Sequence, residues 1–122
     1  MHRSRLAGFI IDCQTDDLEG AARFWGAALG LKSGGEGDSY RHLEHAPGGL
    51  HVEVQKVEHA SRVHLDIESD DIEAEAARLE ALGAKRIGNV KRWIVMEAPT
   101  GQRFCVVRPQ SDDFPAAANS WE

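Results

Sequence analysis

Two short stretches concentrate the side chains that could do chemistry. His51-Val52-Glu53-Val54-Gln55 and His64-Leu65-Asp66-Ile67-Glu68 alternate polar or titratable residues with aliphatic ones. On a strand, a period of two places the polar members of each stretch on one face. A histidine and a carboxylate sharing such a face could hold a divalent metal or move a proton beside a carbonyl. Glu53 reads as a metal ligand or, with burial raising its pKa, a general base; the plainer alternative is a charge paired with Arg103. His64 reads as a ligand or base, or as a polar strand residue hydrogen-bonded where it stands.

Other candidates are weighed the same way. Asp12 and Asp66 form either a facing acidic pair or two strand-end acids capping the turns that follow. His42, Glu44, His45 and His51 crowd a ten-residue window. Alternation sends His42 and Glu44 to one face and His45 to the other, so the window is not read as a metal cluster. Trp93 either lines a pocket or packs on a helix, and Phe24 and Trp25 read as core or interface. Glu73, Glu75 and Glu80, with Arg78, read as a solvated helix face.

The elements that must position these residues occur twice. Residues 6–13 form a short apolar run, and Asp16-Asp17-Leu18-Glu19 then opens a helix over about 17–29, closed by Gly30. Three strands follow, separated by Gly34-Gly35-Glu36-Gly37-Asp38 and Pro47-Gly48-Gly49. Residues 62–68 then read as a strand, and Asp70-Asp71-Ile72-Glu73 opens a second helix ending at Gly83. Strands over 84–90, 92–96 and 102–108 complete the second copy. The acidic caps match at an offset of 54 residues and the Pro-x-Gly turns at 52, which marks an internal repeat. Module one covers about 5–57 and module two about 62–108, together one domain over 1–108.

Within each strand the aliphatic set is assigned to the helix: Val52 and Val54, then Val63, Leu65 and Ile67, then Phe104 and Val106. The opposite face receives His51, Glu53 and Gln55, His64, Asp66 and Glu68, and Arg103, Cys105 and Val107. The offsets bring Ile10 into equivalence with His64, Asp12 with Asp66, and Glu53 with Cys105. Ile10, Glu53, His64 and Cys105 thus form a pseudo-twofold quartet. Residues 109–122 read as a C-terminal tail whose Phe114 and Trp121 dock on the surface or a partner.

Bulk properties bound the reading. The chain has 122 residues, is 42% apolar and carries a net charge of −6 from 20 acidic and 14 basic residues spread along its length. That balance gives little support to a nucleic-acid or membrane partner. Two cysteines without framework spacing, and an N-terminal apolar run too short for a signal or a span, imply a cytoplasmic protein with reduced thiols.

The repeat, together with Arg62-Val63-His64-Leu65-Asp66-Ile67 and Gly101-Gln102-Arg103-Phe104-Cys105-Val106-Val107, resembles the vicinal oxygen chelate superfamily over about 5–108. That superfamily includes glyoxalases, extradiol dioxygenases and bleomycin resistance proteins, and the match is nearest to small glyoxalase-like domains. The resemblance implies an α+β fold of two tandem βαβββ modules forming a curved mixed sheet around a central cavity. It implies a homodimer and a small oxygen-bearing organic ligand in that cavity, contacted by Ile10, Asp12, His51, Gln55, Asp66, Trp93, Arg103 and Cys105. For an enzyme it implies lyase, isomerase or dioxygenase chemistry, with Glu53 as base, His64 as ligand or orienting donor and Arg103 as anion clamp. In metal-dependent members the quartet positions hold Zn, Ni, Mn or Fe. Here His64 and Glu53 fit, Cys105 is a possible third ligand, and Ile10 cannot bind, so the site reads as degenerate. Metal-free binding of a drug-like ligand, as in bleomycin resistance proteins, is the alternative.

Overall fold

Asp17 and Asp71 open the two long helices in the way their sequence context predicts. The Asp17 carboxylate accepts from Gly20 N at 2.9 Å, and Asp71 accepts from Ala74 N at 3.0 Å, satisfying amide donors that have no partner inside the helix. Gly30, at φ 71°, closes the first helix, and Gly83, at φ 110°, follows the second. Both are left-handed conformations that glycine adopts without penalty.

The computed structural model describes residues 1–122. Its elements run β1 (His2–Gln14), α1 (Leu18–Leu29), β2 (Lys32–Gly34), β3 (Tyr40–Glu44), β4 (His51–Val57), β5 (Arg62–Ser69), α2 (Ile72–Ala81), β6 (Lys85–Val90), β7 (Trp93–Glu97), β8 (Arg103–Val107), α3 (Phe114–Ala117) and β9 (Asn119–Trp121). The βαβββ order occurs twice in this α+β chain, as the repeat predicts. By contacts the chain divides into one unit of residues 8–64 and another of residues 1–7 with 65–122.

In the 8–64 unit the strands are ordered β2-β3-β4-β1, with β1 and β4 parallel and β3 antiparallel to β4. Ile11, Leu43, Val52 and Val54 pack with Leu18 of α1, and Phe9, Cys13 and Trp25 close around them. Trp25 is therefore core, while Phe24 stays exposed. Covering one face of the sheet with α1 directs the alternate residues of β1 and β4 away from the helix.

In the other unit β8 lies between β5 and β7, with β6 at the edge. Ala76 and Leu79 of α2 pack on Ile94, Met96 and Val106, with Ile67 and Phe104 beside them. Here one expectation fails: Val63 and Leu65 are 58% and 52% exposed rather than packed on a helix. The ten-residue α2 covers only the Ile67 end of β5. The buried residues of that strand are Asp66, Glu68 and Ser69, Glu68 being fully inaccessible.

Two further expectations are corrected in this unit. Residues 109–122 do more than dock two aromatics, because α3 and β9 fold back and β9 pairs antiparallel with the start of β1, His2 opposite Trp121. Phe114 is buried within the chain; the Trp121 indole donates to Ser4 Oγ at 2.8 Å, and its ring lies 3.9 Å from the Arg78 guanidinium. Nor is Glu75 solvated. It is fully buried, bonded to His2 Nε2 at 2.8 Å, and accepts two bonds from Arg78 at 2.8 and 2.9 Å. Burial pushes the Glu75 carboxyl up, but its bonds from Arg78, His2 and Ser4 outweigh that and hold it below the ordinary glutamate value.

Candidate functional site

Strand register builds a polar surface on the α1-free face of the 8–64 unit. Along β1 and β4, Gly8 is opposite His51, Ile10 opposite Glu53, and Asp12 opposite Gln55. On the other flank β3 sets Tyr40 opposite Gln55 and His42 opposite Glu53. Three ranks of side chains therefore share one face: Asp12, Gln55 and Tyr40; then Ile10, Glu53 and His42; then Gly8 and His51. Gly8 allows the strands to approach, since a Cβ there would fall 1.8 Å from the His51 carbonyl oxygen.

Each polar side chain named on this face is held by another. The Asp12 carboxylate, 1% exposed, accepts through Oδ2 from His64 Nδ1 at 2.7 Å, with Arg62 Nε 3.8 Å away. A carboxylate on Nδ1 selects the tautomer in which Nε2 carries the lone pair. The other oxygen, Asp12 Oδ1, is buried and has no hydrogen-bond partner in the protein. Glu53, 13% exposed, lies 2.5 Å from His51 Nε2 and 3.8 Å from His42 Nδ1. Its carboxylate is thus held by histidines of its own unit. Gln55 Nε2 donates to the Tyr40 hydroxyl at 2.9 Å.

The α2-free face of the other unit carries the remaining candidates. Asp66 is buried and stands opposite Cys105, which is itself opposite Val95. Arg103 pairs with Glu97 across β8 and β7, while Trp93 pairs with Val90 on the edge hairpin. Ile94 and Met96 face α2, so alternation turns Trp93 away from it. Cys105 and Arg103 are both partly buried. The pairing also shifts the pseudo-symmetry: Ile10 stands opposite Glu53, but Asp66, not His64, stands opposite Cys105.

Sequence reasoning does not single out Tyr40 or Arg62, and it weighs His42 only with Glu44, His45 and His51. Alternation placed His42 on a face correctly, yet only the β3–β4 register shows that this face is shared with Glu53 and His51.

The profile of the glyoxalase-like domain matches residues 8–107. The chain belongs to this family, within the vicinal oxygen chelate superfamily. Among solved structures it is similar to methylmalonyl-CoA epimerase from Mycobacterium tuberculosis, at 15% identity and TM-score 0.59, over 92% of this chain and 91% of that one. It is similar to the Mn(II)-bound glyoxalase from Novosphingobium aromaticivorans at 16% identity and TM-score 0.60, over 91% of this chain but 43% of that one. A variant of 4-hydroxymandelate synthase from Streptomyces coelicolor matches at 13% identity and TM-score 0.56, over 98% of this chain and 50% of that one. No curated protein sequence matches the chain. These likenesses establish the fold, and the differing activities in their names show how many chemistries this glyoxalase-like scaffold hosts.

The metal that the superfamily implies at the quartet can be tested against these residues. Ile10 is 3% exposed and has no donor atom, so one of the four positions cannot ligate, although the Asp12 bond to His64 Nδ1 leaves Nε2 able to do so. The four-ligand set does not fit this glyoxalase-like chain, and no chemical step is assigned to a metal there.

Proposed function

We propose that this glyoxalase-like protein binds a small oxygen-bearing organic molecule on the α1-free face of its 8–64 unit, with Glu53 and His64 as the polar centre. The observation that carries the reading is Asp12 Oδ1, a buried acceptor without a donor, next to an imidazole that Asp12 itself orients. Leaving such an acceptor unmet costs about 1–3 kcal/mol. A ligand hydroxyl reaching it recovers that cost. Tyr40 and Gln55 supply further polar contacts, and Ile10 an apolar floor.

The same groups suit lyase- or isomerase-type proton transfer. Glu53, mostly withdrawn from water, takes the proton beside a carbonyl, and His64 Nε2, carrying the lone pair, accepts from a hydroxyl of the ligand. A second reading, binding without turnover as in bleomycin resistance proteins, is favoured by one specific residue: buried Ile10 where metal-dependent relatives place a ligand.

A thermal-shift screen of hydroxy acids, 2-oxo acids and catechols tests the proposal. At least one compound is expected to raise the Tm of the wild type and to lose that effect in Asp12→Asn and Glu53→Gln. Stabilisation that persists in both variants, or none from any compound, overturns it.

A further inference from the structure

We propose that His42, His51 and Glu53 form a binding site for a divalent transition ion of the zinc class, which shares only Glu53 with the superfamily's quartet. One donor atom from each lies within 4.8 Å of the others, and all three belong to the 8–64 unit. Their convergence follows from the sheet: His51 and Glu53 are two apart on β4, and His42 is the register partner of Glu53 on β3. The His42 and His51 rings meet edge to face at 5.4 Å.

The donor chemistry selects the ion. Two imidazoles and one carboxylate suit zinc, cobalt, nickel or iron, whereas calcium and magnesium demand oxygen ligands. Donors bound to one ion at about 2.1 Å stand roughly 3–4 Å apart, so His42 must move inward while the 2.5 Å contact between His51 and Glu53 opens. His42 can supply that movement because its side chain is 52% exposed. Glu53 and His51, at 13% and 24% exposure, are the more enclosed half of the site. An open groove of about 380 Å³, lined by His42, Glu44, His45, Leu50 and His51, gives a path from solvent. Three protein donors leave coordination positions for water or a ligand oxygen, as catalytic sites do and closed structural sites do not.

The inference shares Glu53 with the proposed ligand binding, but its test is separate, since the metal alone is the probe. Full-length protein stripped with chelator is titrated with Co(II) and Zn(II), followed by calorimetry and by the visible spectrum of Co(II). One equivalent is expected to bind, without the charge-transfer band that a thiolate ligand gives. His42→Ala, which alters a half-exposed side chain and should leave the fold intact, is expected to weaken binding at least about tenfold, the loss that even outer-shell changes cause. His51→Ala and Glu53→Gln should do the same, while His59→Ala and Cys105→Ser should not. Circular dichroism melts confirm that each variant is folded. Absence of binding, binding that survives His42→Ala, or binding lost in Cys105→Ser overturns the assignment.

Discussion

Asp12 and His64 hold each other in place on the candidate face. Removing His64 leaves a carboxylate that is 1% exposed without its donor. His64→Ala is therefore expected to lower stability by about 1–3 kcal/mol in urea unfolding; a cost near zero would show that the pair is incidental. Glu75 makes a prediction about pH. Its folded pKa lies below the ordinary value of 4.5, so the unfolded chain takes up the proton first as pH falls. The stability it contributes is fully present above 4.5 and drains away as pH drops toward the folded value. Glu75→Gln should flatten the dependence of stability on pH in that acidic window. An unchanged slope would assign acid unfolding to other carboxylates.

At the scale of elements, most of what was legible in the sequence was local. The acidic caps, the closing glycines and the turn residues act on backbone groups three or four positions away, so the spacing of Asp17 and Asp71 sufficed to place both helices. What the pattern left open was which face a neighbour covers. The alternation of Val63, Leu65 and Ile67 was read correctly as a strand, yet only Ile67 reaches the core under α2. The start of β1 was also hidden, because His2-Arg3-Ser4-Arg5 is polar and its partners lie far along the chain: Asp70 for the Arg3 amide and Glu68 for Arg5. The same limit hid the His42–Glu53 neighbourhood, a matter of inter-strand register. Register also gives the element-scale prediction. Gly8→Ala drives a Cβ into the His51 carbonyl, 1.8 Å away, and should cost about 1–3 kcal/mol by prising β1 from β4. Wild-type stability in that variant would mean the strands pair more loosely than described.

For the whole molecule, the chain ends are structural. Glu68 accepts from the Gln110 amide at 2.6 Å, from Ser111 Oγ at 3.2 Å and from Arg5 Nε at 2.8 Å, and Asp113 holds the other end of Arg5 at 2.7 Å. Arg3 also donates to the Pro115 carbonyl. Deleting residues 110–122 should thus cost about 3 kcal/mol or more by stripping Phe114 from its buried place and partners from Glu68. A truncated chain as stable as the full one would contradict this account. No helix is long and apolar enough to cross a membrane. The central claim concerns the face bearing Asp12, Glu53 and His64, and amide chemical-shift mapping tests it most directly. Titration of isotopically labelled protein with pyruvate, lactate and catechol, on wild type and on Asp12→Asn, is the measurement. The account predicts shifts gathered on Ile10, Asp12, Glu53, Gln55 and His64 that vanish in the variant. Shifts gathered elsewhere, or unchanged in Asp12→Asn, would contradict it.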